Sequence, residues 1–468
     1  MSSRVAHPAG PRHAGVLPAA RPPIPPANLN GLLPQLWPRT AHRAGGVLTV
    51  GGVDVRDLAT EFGTPLFVCA EEDFRQRCRD FRAAFGPQSG VSYAAQAFCC
   101  RGVLRWAAEE GLGVTVCTGG ELAAALAAGV PPGTITLHGS NKLPSELARA
   151  LEVGVGRIVV DSDEEIARLA YLTDPLPGAA PAPHPQLLVR VASGVAASGH
   201  EFVASEHDDQ KFGFSLVSGA AAEAVHRVLA SPGLDLAGLH THIGSQIFGT
   251  DGFEMAARRL AVLATQIRQE HGWQLTELSL GGGFGISYTA SDDPAAVSVF
   301  AQHLHEITAA QYAAGDLAVP RLAVEPGRAI AGPGTITLYE VGTVKNVDGL
   351  RSYVSVDGGM SDNIRTALYA AEYTCVLASR ESAAPPMLSR VAGRHGEIGD
   401  IVVTDCYLPA DLVPGDLVAV AATGAYCRSM ASSYNHVARP AVVAVADGSA
   451  RLLVRRETID DLLRLDAE

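Results

Sequence analysis

The run VSYAAQAF (91–98), RGVLRWAAEEG (101–111), GVTVC (113–117), GGELAAALAAG (119–129), ITLHG (135–139), PSELARALEVG (144–154) and RIVVDS (157–162) decides the fold. Short apolar stretches rich in β-branched residues alternate with Ala/Leu-rich stretches of helical period, and a few turn residues separate each pair. Neighbouring parallel strands need a crossover connection, which a helix of this length supplies. Upstream, PLFVCA (65–70) followed by EEDFRQRCRDFRAAF (71–85) reads as one more strand and helix. Downstream, DEEIARLAYL (163–172), QLLVRVAS (186–193), LAGLHTHIG (236–244) and LTELSLGGG (275–283) continue the alternation. About eight such units in ~250 residues suit a (β/α)8 TIM barrel, assigned to residues 64–318. Its chemistry belongs at the C-terminal strand ends, where HTHIGS and GGGFG fall.

From residue 319 the texture changes. RLAVEP (321–326), GTITLYEVGTVKNV (334–347), RSYVSVDG (351–358), DIVVTDCYLP (400–409), DLVAVAAT (416–423), PAVVAVADG (440–448) and RLLVRRET (451–458) are β-rich with turn residues between them. VLTVGGVDV (47–55) has the same character. These imply a C-terminal all-β domain, residues 319–468, completed by an N-terminal strand segment, residues 31–63. Residues 1–30 hold seven prolines and almost no large apolar side chains, so they read as a disordered tail. They lack the apolar core of a signal peptide.

The chain has 468 residues, with 36 Lys plus Arg against 49 Asp plus Glu and a net charge of −13. An acidic balance without a basic run argues against nucleic acid. A 47% hydrophobic, 18% charged composition supports a sizeable core. No apolar run approaches the ~18 residues of a membrane span. Eight cysteines, none in a CxxC pair or a zinc-spaced cluster with histidine, fit a reduced cytoplasm and imply no metal site. Only Lys142, Lys211 and Lys345 are lysine; the other 33 basic residues are arginine. Chemistry that needs a lysine amine therefore has three candidates.

Seven segments, in order, carry a family resemblance: CTGGEL (117–122), DDQKFG (208–213), HTHIGSQ (240–246), GGGFGISY (281–288), EPGRAI (325–330), VDGGMSDNIRTALY (356–369) and GAYCRSM (424–430). Together they resemble the alanine-racemase-like, fold type III pyridoxal-phosphate decarboxylases, and within them the diaminopimelate decarboxylases, over residues 31–466. A glycine-rich strand-to-loop such as Gly281-Gly282-Gly283 admits a phosphate close to backbone N–H groups. The resemblance implies that these glycines, Ser245 and Tyr426 hold the phosphate of pyridoxal 5′-phosphate. It further implies that His242 stacks on the ring, that Glu325 in Glu325-Pro326-Gly327-Arg328 meets the pyridine nitrogen, and that Arg328, Arg365 and Tyr369 bind substrate carboxylates. Arginine suits that task because its planar fork pairs both carboxylate oxygens. Glu397 is implied as the acid facing the distal amino group of a small amino-acid ligand. The family's shared active sites imply a homodimer.

Three positions depart from the family pattern. The strand motif whose lysine forms the Schiff base reads Tyr93-Ala94-Ala95-Gln96-Ala97 here. Thr115 stands where a carboxylate is expected, and His395-Gly396-Glu397 has Gly396 in place of a cysteine taken to act as an acid. An amide neither forms an imine nor returns a proton as an amine does. Lys142 and Lys211 match supporting lysines of the family, so neither is a new substitute. The expectation is a diverged decarboxylase-like protein that holds pyridoxal phosphate non-covalently. The alternative is an inactive paralogue that regulates an active decarboxylase by heterodimerisation, or acts as a ligand sensor.

Overall fold

The computed structural model describes residues 24–174, 186–195 and 211–467. It divides into two compact units, Arg75–Ile286 with Asp293–Ile330, and Met1–Phe74 with Ser287–Asp292 and Ala331–Glu468.

The first unit is a closed ring of eight parallel strands: Gly90–Ala94, Gly113–Val116, Ile135–Leu137, Arg157–Val160, Gln186–Ala192, Asp235–His240, Glu277–Ser279 and Arg321–Val324. Arg321–Val324 closes the ring, pairing with Glu277–Ser279 on one side and Gly90–Ala94 on the other. The strand interiors are almost wholly buried, as both faces of a covered parallel sheet should be. Strand-to-helix turns are short and capped. Thr118 Oγ1 accepts from the Glu121 N–H at the head of Gly119–Ala127, and Ser162 Oγ does so for Glu165 in Asp163–Thr173. Each cap sits two residues beyond a strand end.

Two segments differ from the sequence expectation. Leu66–Ala70, read as the first barrel strand, pairs instead with Thr335–Val347 and Ala441–Ala446 in the second unit. Arg321–Val324, read as the first β-domain strand, is the last barrel strand. A wholly buried apolar strand looks the same at the centre of either sheet, so its pairing decides what its pattern cannot. The unit boundaries accordingly fall after Phe74 and Ile330, not after residues 63 and 318.

The second unit is β-rich. A nine-stranded sheet runs through Thr335–Val347, which pairs with Leu66–Ala70, Arg351–Val356 and Leu417–Val420. The N-terminal strands His42–Ala44, Val47–Val50 and Val53–Asp54 form a small sheet of their own. Their Leu48 and Val50, with Leu36 and Trp37, pack into one core with Val68, Ile336, Leu338 and Val443. Residues 1–23 of the expected tail lie outside the described residues. Asn30 is already tied in, by Nδ2 donating to the Ser382 carbonyl at 2.9 Å and by its own carbonyl accepting from Arg43 Nε at 2.7 Å. Among the described residues no helix is long and apolar enough to cross a membrane.

Candidate active site

A cavity of about 470 Å³ opens among the C-terminal strand ends of the barrel. Several strands deliver a side chain to it from within two residues of their C-terminal ends: Gln96, Thr115, His138, Arg190, His240 and Glu325. Its size is that of a small-molecule site.

Glu325 is the organising group. Its Oε1 lies 3.0 Å from His138 Nε2 and 3.3 Å from Ser279 Oγ, and its Oε2 lies 3.2 Å from His240 Nε2. The two imidazoles stand at 70° with centroids 4.7 Å apart. Burial alone would raise the Glu325 carboxyl, but His138 and His240 beside it bring it well below the usual carboxylate range. Burial pushes His240 down to about 4 and, aided by the Arg190 charge, His242 down to about 3. Both rings are therefore neutral at pH 7. His138, His240 and Glu325 offer three ligand-type atoms within 4.8 Å of one another. The imidazole–carboxylate hydrogen bonds satisfy this cluster without an ion.

His242 Nδ1 accepts from the Gly282 N–H at 3.1 Å, which ties the histidine loop to the glycine loop. The glycines are required sterically. A Cβ on Gly282 would stand 2.5 Å from the Glu325 carbonyl oxygen, and one on Gly283, where φ is +101°, 2.5 Å from the Gly244 carbonyl. Gly281 and Gly327 are similarly confined, the latter against Ala94 and Ala97. Pro326 offers its carbonyl to the Ala94 N–H at 3.2 Å, placing the Glu325–Arg328 turn against the strand that leads to Gln96. Arg328 is buried and donates from Nη2 to Ser245 Oγ at 2.7 Å. Of the expected barrel residues, Gln96, Thr115, His242, Gly282 and Glu325 line the cavity; Ser245, Gly281, Gly283, Pro326, Gly327 and Arg328 are not on its wall.

The departing positions are placed as follows. Gln96 sits in the turn Ala95–Ala97 directly after a barrel strand, exposed on the cavity wall. Thr115 is buried, and its Oγ1 has no hydrogen-bond partner among the described residues. Lys142 is fully buried, with Nζ donating to the Gly139 carbonyl (2.7 Å), the Val159 carbonyl (2.6 Å) and Glu165 Oε2 (2.9 Å). All three of its donors are in use. Lys211 is exposed, with its ammonium 4.8 Å from the Phe212 ring. Lys345 is exposed in a strand of the second unit.

In the second unit, Arg365 is buried in an aromatic cage. Its guanidinium lies 4.9 Å from the Tyr288 ring and 5.6 Å from the Tyr373 ring, and Nη1 donates to the Tyr373 hydroxyl. Tyr369 and Tyr426 are half-buried, the latter at φ +61°. Gly396 and Glu397 are exposed on the turn after buried His395, which is held by Ser361 Oγ at 2.8 Å and Asn435 Oδ1 at 3.1 Å. A Cβ added at Gly396 meets no atom within 4 Å.

Sequence reasoning missed His138 and Arg190, and gave no role to Cys117 and His240, all of which line the cavity. The signal was present: each lies within two residues of a C-terminal strand end, the position a barrel reserves for its site.

Comparison with known proteins agrees with this geometry. Residues 71–332 match the family described as pyridoxal-dependent decarboxylase, pyridoxal binding domain. The chain is 56% identical over 444 residues to diaminopimelate decarboxylase of Mycobacterium tuberculosis, covering 93% of this chain and 98% of that one. It is 42% identical over 424 residues to the Bacillus subtilis protein of the same name, covering 90% and 95%. Among solved structures it is similar to diaminopimelate decarboxylase of M. jannaschii, with a TM-score of 0.85 and 27% identity over 92% of this chain and 98% of that chain. The residues present fit pyridoxal phosphate. A buried ionised carboxylate offers itself to a pyridinium, a buried neutral imidazole stands beside a glycine loop with no room for side chains, and the orphaned Thr115 hydroxyl points to a missing polar partner. With its barrel, its β-rich unit and its matched length, the chain belongs to the diaminopimelate decarboxylase family.

Proposed function

We propose that this chain is a diverged diaminopimelate decarboxylase that binds pyridoxal phosphate without a covalent link, together with an amino acid bearing a carboxylate. The family reaction is the conversion of meso-2,6-diaminopimelate to L-lysine and carbon dioxide. The observation that carries the divergence is Gln96, exposed on the cavity wall where the resemblance places the Schiff-base lysine. Lys142 is no substitute, because its three donors are spent on two carbonyls and Glu165 in the barrel core. When bound, pyridoxal phosphate supplies an electron sink for the bond that breaks.

The chain's own residues do the rest. Glu325 accepts the pyridinium N–H, the Gly281–Gly283 loop and Ser245 hold the phosphate, and His242 covers the ring. Arg328, Arg365 and Tyr369 take substrate carboxylates, Tyr426 takes the phosphate and Glu397 the distal amine. Gln96, Thr115 and Gly396 carry no group that moves a proton near neutral pH. One general acid–base residue contributes typically about 10²–10⁴-fold, so turnover falls by at least that factor.

The test is titration of the purified chain with pyridoxal phosphate, followed by borohydride and peptide mass analysis. Saturable binding reversed by dialysis, with no labelled lysine, is the expected result. A borohydride-fixed adduct at Lys142, Lys211 or Lys345 refutes it.

A further inference from the structure

We propose that His138 and His240 are positioning residues that hold the Glu325 carboxylate ionised and in one orientation for the ring nitrogen of the cofactor. The inference rests on the pyridoxal-phosphate reading above. It assigns roles to two residues that the motif comparison leaves without one.

The geometry is a clamp. Glu325 Oε1 is held by His138 at 3.0 Å and Oε2 by His240 at 3.2 Å, with Ser279 Oγ adding a third donor at 3.3 Å. The imidazoles come from two different strand ends, after Leu137 and at His240, so they grip the carboxylate from separate walls of the barrel. A carboxylate only accepts hydrogen bonds, so each ring must carry its proton on Nε2. That choice has a visible consequence at His240. Its Nδ1 is buried with no hydrogen-bond partner among the described residues, an arrangement that persists because the opposite nitrogen is committed to Glu325.

The clamp sets the charge as well as the aim. Burial drives Glu325 toward its neutral form, and the two histidines reverse that tendency. Without them the carboxyl takes up a proton and ceases to be the acceptor that a pyridinium N–H requires. Of the other groups on the same cavity wall, Gln96 and Thr115 are uncharged and Arg190 is a cation. The same three side chains resemble a metal triad in composition, but their Nε2–H donors are already directed at the carboxylate.

The test uses the full chain and 4′-deoxypyridoxine 5′-phosphate, which has the ring and the phosphate but no aldehyde. Affinity and the ultraviolet spectrum of the bound ring, which reports its protonation, are read for the wild type, His138→Leu, His240→Leu, the two His→Gln variants, the two His→Asn variants and Glu325→Gln. Each leucine variant is expected to bind about 10- to 100-fold more weakly and to hold a ring that has lost its proton. Glutamine, whose side-chain N–H reaches about as far as Nε2, restores both. Asparagine, which is shorter, does not, and this contrast serves if a leucine variant fails to fold. In the Glu325→Gln background the histidine changes have no further effect on ring protonation. Leucine variants that match the wild type in affinity and spectrum overturn the clamp while leaving the cofactor reading intact. A wild-type chain that does not bind the analogue overturns both. Stoichiometric Zn²⁺ binding that the histidine variants abolish also overturns the clamp, since it makes the cluster a ligand set.

Discussion

Lys142 Nζ lies 2.9 Å from Glu165 Oε2, with the two side chains 0% and 1% exposed. Glu165 also accepts the backbone N–H groups of Lys142 and Asp161, both at 3.0 Å, so one carboxylate ties two strand-end loops to one ammonium. Burial lowers the lysine, and Glu165 and Asp161 oppose that effect. Removing one partner of a buried pair leaves the other charge uncompensated, which costs about 3–5 kcal/mol. Lys142→Met is therefore expected to lose stability of that order in urea unfolding, with the folded fraction showing no new inability to bind pyridoxal phosphate. A loss below about 1 kcal/mol would show that the pair is not structural.

The acid sensitivity of the fold follows from the cavity histidines. His240 and His242 ordinarily titrate at 6.5 and are held down to about 4 and about 3 in the folded chain, chiefly by burial. Below pH 6.5 the unfolded chain takes up protons that the folded chain does not, so stability falls as the pH falls through this window. The contribution is complete above pH 6.5, and its loss ends once the pH passes below the folded values. Each histidine contributes up to roughly 1.4 kcal/mol per pH unit while only the unfolded form is protonated. Glu325, held below its ordinary 4.5, adds a loss of the same sign below that pH. Urea unfolding at pH 7 and pH 5 should show the drop, and His242→Gln should reduce it. A drop unchanged in the variant would place the acid sensitivity elsewhere.

Much of this was legible in the sequence, for reasons that differ by element. The barrel was readable because strand and helix periods alternate; the glycine loop drew notice only as one of seven segments in order, since a glycine triplet alone is a common tight turn. The misplacement of Leu66–Ala70 and Arg321–Val324 has one cause: a short buried apolar strand carries no mark of its neighbours. Glu325 was found through its turn, whereas His138 was missed because a lone histidine after an apolar run looks like any core residue. Its meaning comes from 187 residues away, where the carboxylate it holds lies.

The turn that carries Gly396 and Glu397 predicts an assembly. Ile398 is 69% exposed, and the Tyr434 ring, 42% exposed, is tilted at 37° to His395 with centroids 5.3 Å apart. A homodimer with shared active sites would cover this turn, with Ile398 next to Glu397 in the contact. Sedimentation of the wild type is expected to give a dimer and of Ile398→Asp a weakened one, with the substitution shifting dissociation by at least about tenfold. If both sediment as monomers, the reading of a homodimer with shared active sites fails.

Restoring the family's catalytic groups asks whether the pocket has otherwise been preserved, and the structure gives each substitution room. Gln96, itself exposed, and Thr115 both line the cavity, and a side chain at Gly396 meets nothing within 4 Å. The triple variant Gln96→Lys, Thr115→Asp, Gly396→Cys is therefore expected to fold with a stability change within about 2 kcal/mol, most of it from the carboxylate introduced at Thr115. It should acquire a borohydride-fixable adduct at residue 96 and release carbon dioxide from meso-diaminopimelate at least about 10²-fold faster than the parent chain. Gly282→Ala is the contrasting control. Its Cβ would stand 2.5 Å from the Glu325 carbonyl oxygen, so it should disturb the glycine loop proposed to hold the phosphate and abolish the gain when added to the triple variant. A triple variant that folds, forms the adduct and still releases no carbon dioxide would mean that divergence reached beyond these three positions, into the carboxylate binders Arg328 and Arg365.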